Sequence, residues 1–278
     1  MPNNKLKIAA IQMASGPNVG ANLLETERLV VEAVEVEAQL ITLPENFAFM
    51  GKQESDLLSV SESYGHGPIQ DFLSQLAEKY NVWIVAGTIP IKTSHSHRVR
   101  SACLLFDAQG KEVIRYDKMH LFDVHLVDVN EKYMESAVIE PGDKLAVVNT
   151  PFGRLGIAIC YDLRFPELFR AMLDQDMEIL ALPASFTAIT GKAHWEILIR
   201  SRAVENLIYV VAAAQGGYHF SGRETHGHSM IVNPWGKIMA ELPRGNGIVS
   251  SEIDKDCQIT IRRNFPALQH RRLHCVIK

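Results

Sequence analysis

The sequence predicts an α/β protein, a four-layer α-β-β-α sandwich with internal pseudo-symmetry. Four short segments of the first half recur in the second half in the same order, which indicates a duplicated architecture. Amphipathic helical patterns separate the recurring strands in both halves. The segment "EPGDKLAVVNTPFGRLG" joins the halves without a Pro/Gly/Ser-rich linker, so two stacked layers in one domain are favoured over the alternative of two separate domains.

The recurring segments are predicted to form strands and one hairpin in each half. "KIAAIQM" near the start resembles "LGIAICY", and each hairpin segment has Gly-Lys after a turn signal. The other three pairs are "ITLPENF" at 41–47 with "LALPASF" at 180–186, "YNVWIVAGT" at 80–88 with "NLIYVVAAA" at 206–214, and "LLFDAQGKEV" at 104–113 with "MIVNPWGKIM" at 230–239.

Helices are predicted between these strands because apolar residues recur there with helical spacing. The first half contains "ANLLETERLVVEAVEVEA" and "IQDFLSQLAEKY", and the second contains "PELFRAMLDQ" and "AHWEILIRSRAVEN". Each half therefore has the order strand, helix, strand, helix, strand and hairpin.

The composition is that of an ordinary globular protein, with 47% hydrophobic and 22% charged residues. A formal net charge of -4 gives no electrostatic footprint for nucleic acid, so we expect no nucleic-acid partner. The apolar run at the start is too short for a signal peptide, and no run is long enough to cross a membrane. The four cysteines are far apart and form no C-x-x-C pair, which argues against a metal site or a disulfide framework: Cys103, Cys160, Cys257 and Cys275. We expect a cytoplasmic protein that needs no cofactor and does not bind membranes.

Cys160 lies where a short apolar strand gives way to a helix. In "GRLGIAICYDLRFPE" the thiol follows the strand pattern, and Pro166 reads as the first turn of the helix. A free cysteine is most often a small core residue. At a strand-to-helix turn, however, backbone N–H groups and a helix N-terminus favour a thiolate or a developing oxyanion.

Three charged residues are further candidates, each with an ordinary structural alternative. Glu45 in "LPENF" occupies the strand-end position equivalent to Ala184, where α/β proteins often carry chemistry; the alternative is a solvated carboxylate or a helix-start residue. Lys118 lies beside apolar residues and would suit an oxyanion if buried, although a lone lysine is nearly always on the surface. Glu135 in "YMESAVIEPG" is either a functional carboxylate or a charge partner.

Three motifs in order resemble the catalytic segments of the nitrilase superfamily of carbon-nitrogen hydrolases: "LPENF", "YDKMHLFD" and "CYDLRFPELFR". The resemblance extends through "TGKAHWEILIRSRAVEN", "HGHSMIVNPWG" and the terminal "QHRR". It implies the same sandwich fold and a Glu-Lys-Cys triad. By position, Glu45 would be the general base, Lys118 the oxyanion stabiliser and Cys160 the nucleophile. Glu135 would position the substrate or the attacking water.

Further residues near the motifs are predicted to bind the substrate. The N–H group of Tyr161 would help to stabilise the oxyanion. Arg164 would bind a substrate carboxylate, or would instead pair with Glu167 or Asp162 and brace the loop. The remaining candidates for the pocket lining are His120, Phe186 and Thr187. Lys192 stands where related sequences commonly have proline, which affects only the pocket loop.

Within the superfamily, the motifs are most similar to the branch of amidases that act on deaminated glutathione. The resemblance implies cleavage of a carboxamide on a small, carboxylate-bearing substrate through a cysteine thioester, as a metabolite repair. The alternatives are an ω-amidase acting on α-ketoglutaramate and a non-catalytic small-molecule-binding protein on the same fold. Residues 5–250 would form the hydrolase domain and 251–278 a C-terminal extension at a subunit interface, giving a homodimer or a higher homo-oligomer.

Overall fold

The structure, a computed structural model, describes residues 5–126 and 131–273. Its strands are β1 (Lys5–Gln12), β2 (Leu40–Thr42), β3 (Trp83–Val85), β4 (Ile89–Lys92), β5 (Val99–Phe106), β6 (Glu112–Asp117), β7 (Asp123–Leu126), β8 (Glu131–Met134), β9 (Val147–Thr150), β10 (Gly153–Ile157), β11 (Ile179–Ala184), β12 (Tyr209–Ala214), β13 (Gly216–Tyr218), β14 (Glu224–His226), β15 (Ser229–Val232), β16 (Ile238–Leu242) and β17 (Gly247–Asp254). Its α-helices are α1 (Val19–Glu35), α2 (Pro68–Tyr80), α3 (Pro166–Leu173), α4 (Ala188–Asn206) and α5 (Lys255–Asn264).

Two large sheets repeat one topology, which confirms the predicted pseudo-symmetry. In the first sheet β1, β2 and β3 are parallel neighbours, and β5 and β6 follow as antiparallel strands. In the second sheet β10, β11 and β12 are parallel, followed by antiparallel β15 and β16. Both hairpins even shift register near the end of their first strand, at Leu105/Phe106 and at Ile231/Val232. The four recurring segments therefore occupy equivalent positions in the two sheets.

The sheets stack face to face with helices on the outside, as the sandwich prediction requires. Alternate residues of β1 point to opposite faces: Ile8 joins the core shared with the second sheet, whereas Ala9 packs in the core that contains Leu29 and Leu73 of α1 and α2. On the other side, Phe169 of α3 and Ile199 of α4 pack in the core of the second sheet. The predicted four-layer α-β-β-α sandwich is confirmed.

The helices begin and end at residues with clear local causes. The side chain of Asn18 accepts a hydrogen bond from the N–H of Ala21 and starts α1, and Pro68 opens α2. Asn81 ends α2 in the left-handed conformation that asparagine tolerates. Helix α4 begins five residues earlier than its apolar pattern predicted, because Thr187 caps it through the N–H of Thr190.

The C-terminal part of the described chain is joined to the core. Strand β17 pairs with β1 along its whole length, so the predicted boundary at residue 250 falls inside this strand. In α5, Gln258 donates hydrogen bonds to the carbonyls of Glu178 and Leu207. These carbonyls precede β11 and β12, which places α5 at the start of the strands whose far ends approach Cys160. Cys275 lies outside the described residues, and the interface role of 251–278 stays a prediction.

Among the described residues, no helix is both long and apolar enough to span a bilayer.

Candidate active site

Cys160 follows β10 on a backbone that most residues avoid. Its φ angle is 46°, in the left-handed region that costs a non-glycine residue free energy. The thiol is buried, and its sulfur accepts a hydrogen bond from the N–H of Ser185 at 3.4 Å. Cys160 opens a short 3-10 turn that ends at Arg164, and α3 starts only after that turn. The backbone thus presents the thiol at the end of β10, beside the end of β11.

Asp162 holds the turn in this conformation. It is fully buried, and one carboxylate oxygen accepts hydrogen bonds from the hydroxyl of Tyr116 and the N–H of Ile159, both at 2.8 Å. The other oxygen lies 3.0 Å from the backbone nitrogen and 2.7 Å from the Nδ1 atom of His120. Charge-assisted hydrogen bonds of this kind are among the stronger ones in proteins. Asp162 therefore anchors the nucleophile turn to the strand that precedes Lys118.

Lys118 is buried between two carboxylates. Its ammonium is 2.8 Å from Oε1 of Glu45 and 2.7 Å from Oε1 of Glu135, and the residue is only 2% exposed. The second oxygen of Glu135 accepts a hydrogen bond from the N–H of Phe122 at 2.6 Å. The alternatives of a surface lysine and a solvated Glu45 are therefore wrong, because both groups are removed from water and face each other.

The loops that carry these residues are fixed by backbone contacts. The N–H of Lys118 donates to the carbonyl of Ser101, and the side chain of Gln215 donates to the carbonyl of Glu45 at 2.9 Å. Gly87, with a φ angle of 54°, lets the chain pass close to Pro44, since a Cβ there would lie 2.2 Å from the Pro44 carbonyl oxygen. Lys118 and Glu45 are thus positioned by hydrogen bonds of their backbones as well as by their contact with each other.

Burial and mutual charge shift the pKa values of the cluster. Burial alone would lower the pKa of Lys118, but the charges of Glu135 and Glu45 raise it well above its ordinary value. Burial raises the pKa of Glu135; Lys118 opposes this effect and the charge of Glu45 adds to it. Lys118 therefore stays an ammonium at neutral pH.

The thiol of Cys160 is protonated in the resting site. Burial, followed by the charge of Glu45, raises its pKa well above the ordinary value, although Lys118 and the N–H of Ser185 act in the opposite direction. The N–H of Ser185 thus acts toward the thiolate, as expected of backbone N–H groups at the turn, but burial and the charge of Glu45 outweigh it. Because the carboxylate of Glu45 lies close enough for its charge to act on the thiol, a base is already in place to accept the proton.

These groups lie in a pocket of about 470 Å³, counting its open mouth. Of the predicted substrate-binding residues, Tyr161, Arg164, Phe186 and Thr187 line it together with the four charged and thiol groups. His120 is not part of this lining. Its ring stacks on Phe165 at 3.8 Å and contacts Asp162, so the prediction of a pocket residue is corrected to one that braces the nucleophile turn.

Arg164 pairs with neither of the carboxylates proposed as structural partners. Its Nη1 atom lies 3.2 Å from Nδ1 of His194, and its guanidinium lies over the ring of Phe186 at 5.4 Å. Within residues 5–126 and 131–273, no carboxylate forms a salt bridge with this guanidinium. A cation that lines the pocket without an internal counterion is available to a substrate anion.

Sequence reasoning missed several pocket residues. Arg223, in the turn between β13 and β14, contributes a second guanidinium, and Asn46, Glu54 and Tyr133 complete that side of the lining. Asn46 and Tyr133 lie in quoted segments without having been singled out, whereas no motif marks Glu54 or Arg223, which only folding brings near Cys160. In the part of the chain that the structure describes, no group of three or more His, Cys, Asp or Glu side chains could hold a metal ion.

Comparison with known proteins identifies the class. A protein-family profile described as "Carbon-nitrogen hydrolase" matches residues 7–262. A protein of Yersinia enterocolitica named deaminated glutathione amidase is 41% identical over 266 residues, which cover 95% of this chain and 92% of that protein. A protein of the same name from Synechocystis sp. is 43% identical, covering 95% of this chain and 97% of its own.

The fold comparison agrees with the sequence comparison. The crystal structure of the C. elegans NitFhit protein matches with a TM-score of 0.90 at 35% identity, covering 98% of this chain and 66% of that one. The chain belongs to the carbon-nitrogen hydrolase family. The predicted membership of the nitrilase superfamily is thereby confirmed, as is the prediction of a hydrolase.

Proposed function

We propose that this protein is an amidase that hydrolyses deaminated glutathione, with Cys160 as the nucleophile. The observation that carries the proposal is a buried thiol next to an ammonium held between two carboxylates, in a pocket that two arginines also line. The relatives named deaminated glutathione amidase support the choice of substrate. As a metabolite-repair reaction, the hydrolysis would yield α-ketoglutarate and cysteinylglycine.

In the acylation step, Glu45 accepts the thiol proton while the sulfur attacks the amide carbonyl. Because the pKa of Cys160 is raised, the thiol needs this base to attack at neutral pH. The oxyanion is stabilised by the ammonium of Lys118 and the N–H of Tyr161. As the second residue of its 3-10 turn, Tyr161 has an N–H near the unsatisfied start of that turn. Glu45 then gives its proton to the departing nitrogen, and the carbon–nitrogen bond breaks.

In the deacylation step, water attacks the thioester. Glu45 takes a proton from the water, and Glu135, fixed by Lys118 and the N–H of Phe122, orients that water. The carbon–sulfur bond breaks, and the thiolate recovers its proton from Glu45. One base therefore serves both steps, and loss of an oxyanion donor would raise the barrier by about 3 kcal/mol.

The keto-acid end of the substrate would lie against Arg164. A carboxylate there gains two charge-assisted hydrogen bonds from the guanidinium fork, which the rings of Tyr161 and Phe186 hold in place. Intact glutathione would be a poor substrate because its α-ammonium would be desolvated beside this cation.

The proposal is tested by comparing substrates and by trapping the intermediate. We expect a higher kcat/KM for deaminated glutathione than for α-ketoglutaramate, intact glutathione or a simple nitrile. Intact-mass analysis with a slow substrate should show an acyl adduct on the wild type and none on Cys160→Ala. Preference for α-ketoglutaramate would make the protein an ω-amidase. Full activity of Cys160→Ala, or the absence of turnover with every amide, would refute the mechanism.

We further propose that the protein acts in the cytoplasm as a homodimer or higher homo-oligomer. The three cysteines of the described residues are free thiols, which suits a reducing compartment. Apolar side chains exposed on α4 and near it support self-association: Ile197, Val204, Trp235 and Phe265. Light scattering would test the assembly, and a mass equal to one chain at micromolar concentration would contradict it.

A further inference from the structure

The pocket does not end at the nucleophile but continues into a second, open groove. Four residues line both spaces and therefore mark their boundary: Asn46, Glu54, Tyr133 and Arg223. The groove then runs between the segment around Lys52 and the end of β8 around Lys132. Arg164 lines the inner pocket and is not part of the groove.

Arg223 is held at this boundary with unused hydrogen-bonding capacity. Its Nη2 atom donates to the carbonyl of Ser185 at 2.6 Å, and its guanidinium lies over the ring of Tyr133 at 5.2 Å. Its Nε atom is buried and has no hydrogen-bond partner. Among the described residues, no carboxylate forms a salt bridge with it. A buried donor without an acceptor costs free energy, which an anion bound at this position would offset.

The two arginines contact neighbouring residues of one segment beside Cys160. Arg164 contacts the ring of Phe186, whereas Arg223 contacts the preceding carbonyl of Ser185, whose own N–H reaches the thiol. A substrate whose scissile carbonyl lies at Cys160 therefore has Arg164 within the inner pocket and Arg223 where this pocket meets the groove.

We propose that the groove binds the leaving amine of the substrate and that Arg223 is the residue that selects an amine ending in a carboxylate. The inference rests on the proposed function, in which the acyl group lies against Arg164. A dipeptide leaving group spans about 7 Å when extended and so needs more room than ammonia does. In the proposed complex, the carboxylate of Glu54 accepts hydrogen bonds from the N–H groups of the leaving dipeptide. The ammonium groups of Lys52 and Lys132 add positive potential along the groove, which favours the carboxylate of the dipeptide.

The proposal separates two substrates that share one acyl group. Deaminated glutathione and α-ketoglutaramate form the same thioester, but the first releases cysteinylglycine and the second releases ammonia. Only the first occupies the groove. Arg223 therefore affects acylation by one substrate and leaves the common deacylation step unchanged, whereas Arg164 affects both substrates.

The experiment measures kcat/KM for both substrates with the wild type, Arg223→Gln, Arg223→Lys and Arg164→Gln. Arg223→Gln should lower kcat/KM for deaminated glutathione about 10- to 100-fold, while α-ketoglutaramate changes less than about twofold. The kcat/KM of Arg223→Lys for deaminated glutathione should lie between those of the wild type and Arg223→Gln, because lysine keeps the positive charge and loses the two-pronged hydrogen bonding of the guanidinium. Arg98→Gln is the matched control, since Arg98 is exposed and lines neither space.

A third substrate tests the carboxylate directly. The analogue of deaminated glutathione with a C-terminal carboxamide should be about 10- to 100-fold poorer with the wild type and no poorer than the parent with Arg223→Gln. Two results would overturn this inference alone. One is an equal loss of kcat/KM for deaminated glutathione and α-ketoglutaramate in Arg223→Gln. The other is a variant that still prefers the carboxylate substrate over the carboxamide analogue as strongly as the wild type does. A wild type that hydrolyses α-ketoglutaramate but not deaminated glutathione would overturn the proposed function, and the inference with it.

Discussion

Replacing Lys118 by methionine tests the physical interpretation of the buried cluster. Methionine has nearly the length of the lysine side chain and no charge, so the change removes the ammonium and leaves little cavity. Glu45 and Glu135 would remain as two buried carboxylates, 4% and 9% exposed, without the cation that lies 2.8 and 2.7 Å from them. The variant should be inactive, and its free energy of unfolding should depend on pH in a way that the wild type does not.

The expected magnitude follows from the cost of an uncompensated buried charge. Removing one partner of a buried ion pair typically costs about 3 to 5 kcal/mol, and we expect this loss near pH 8. Without the ammonium, the pKa of Glu135 must rise further, because burial and the charge of Glu45 already raise it above 4.5 and Lys118 is the main opposing influence. A carboxyl group of this kind is protonated at mildly acidic pH.

The sign of the pH dependence is fixed by linkage. A group with a raised folded-state pKa contributes stability that is present below its unfolded value and is lost as the pH rises through the folded value. The destabilisation of Lys118→Met should therefore be largest above the raised pKa and shrink by about 1.4 kcal/mol for each pH unit below it, down to the unfolded-state value of 4.5. In the wild type, the contribution of Lys118 to the free energy of unfolding stays constant up to pH 8, because the pKa of Lys118 is raised above 10.5.

Urea denaturation of both proteins at pH 5.5 and pH 8 measures the difference. Lys79→Met is the matched control, because Lys79 pairs with Glu27 at 2.8 Å in an exposed position and its loss should show no such pH dependence. A loss of stability in Lys118→Met that is equal at the two pH values would refute the reasoning about the buried carboxylates.

Three further predictions concern other parts of the site. Glu45→Gln should block both formation and hydrolysis of the thioester, because one proton carrier serves both steps; wild-type acylation in stopped-flow measurements would exclude Glu45 as the base. Tyr116→Phe should lower the free energy of unfolding by about 1.5 to 3 kcal/mol, since it removes a buried hydrogen bond to Asp162, and calorimetry showing no change would contradict that role. The imidazole of His226 should titrate in NMR spectra with a pKa of about 4, because burial and then the neighbouring charge of His228 lower it; a midpoint near 6.5 would contradict this environment.

The duplicated sheets were predictable because their information is local. Apolar segments such as those of β2 and β11 carry their strand preference within a few residues, and their repetition in order gives the topology. The start of α4 was placed late because a single cap at Thr187 determines it, and the preceding turn has no apolar period to reveal it. Local sequence patterns thus predicted the existence of strands and helices more accurately than the residues at which they begin and end.

The sequence by itself determined which residues are candidates for the chemistry, since Glu45, Lys118 and Cys160 lie in short motifs at predicted ends of strands. Only the tertiary structure decided their state: the charges of Glu135 and Glu45 keep the buried Lys118 a cation, and burial raises the pKa of the Cys160 thiol. It also decided that His120 braces Asp162 and that Arg223 lines the pocket. The physical reason is that pKa values and pocket linings depend on distances between segments far apart in the chain, to which no local sequence pattern is sensitive.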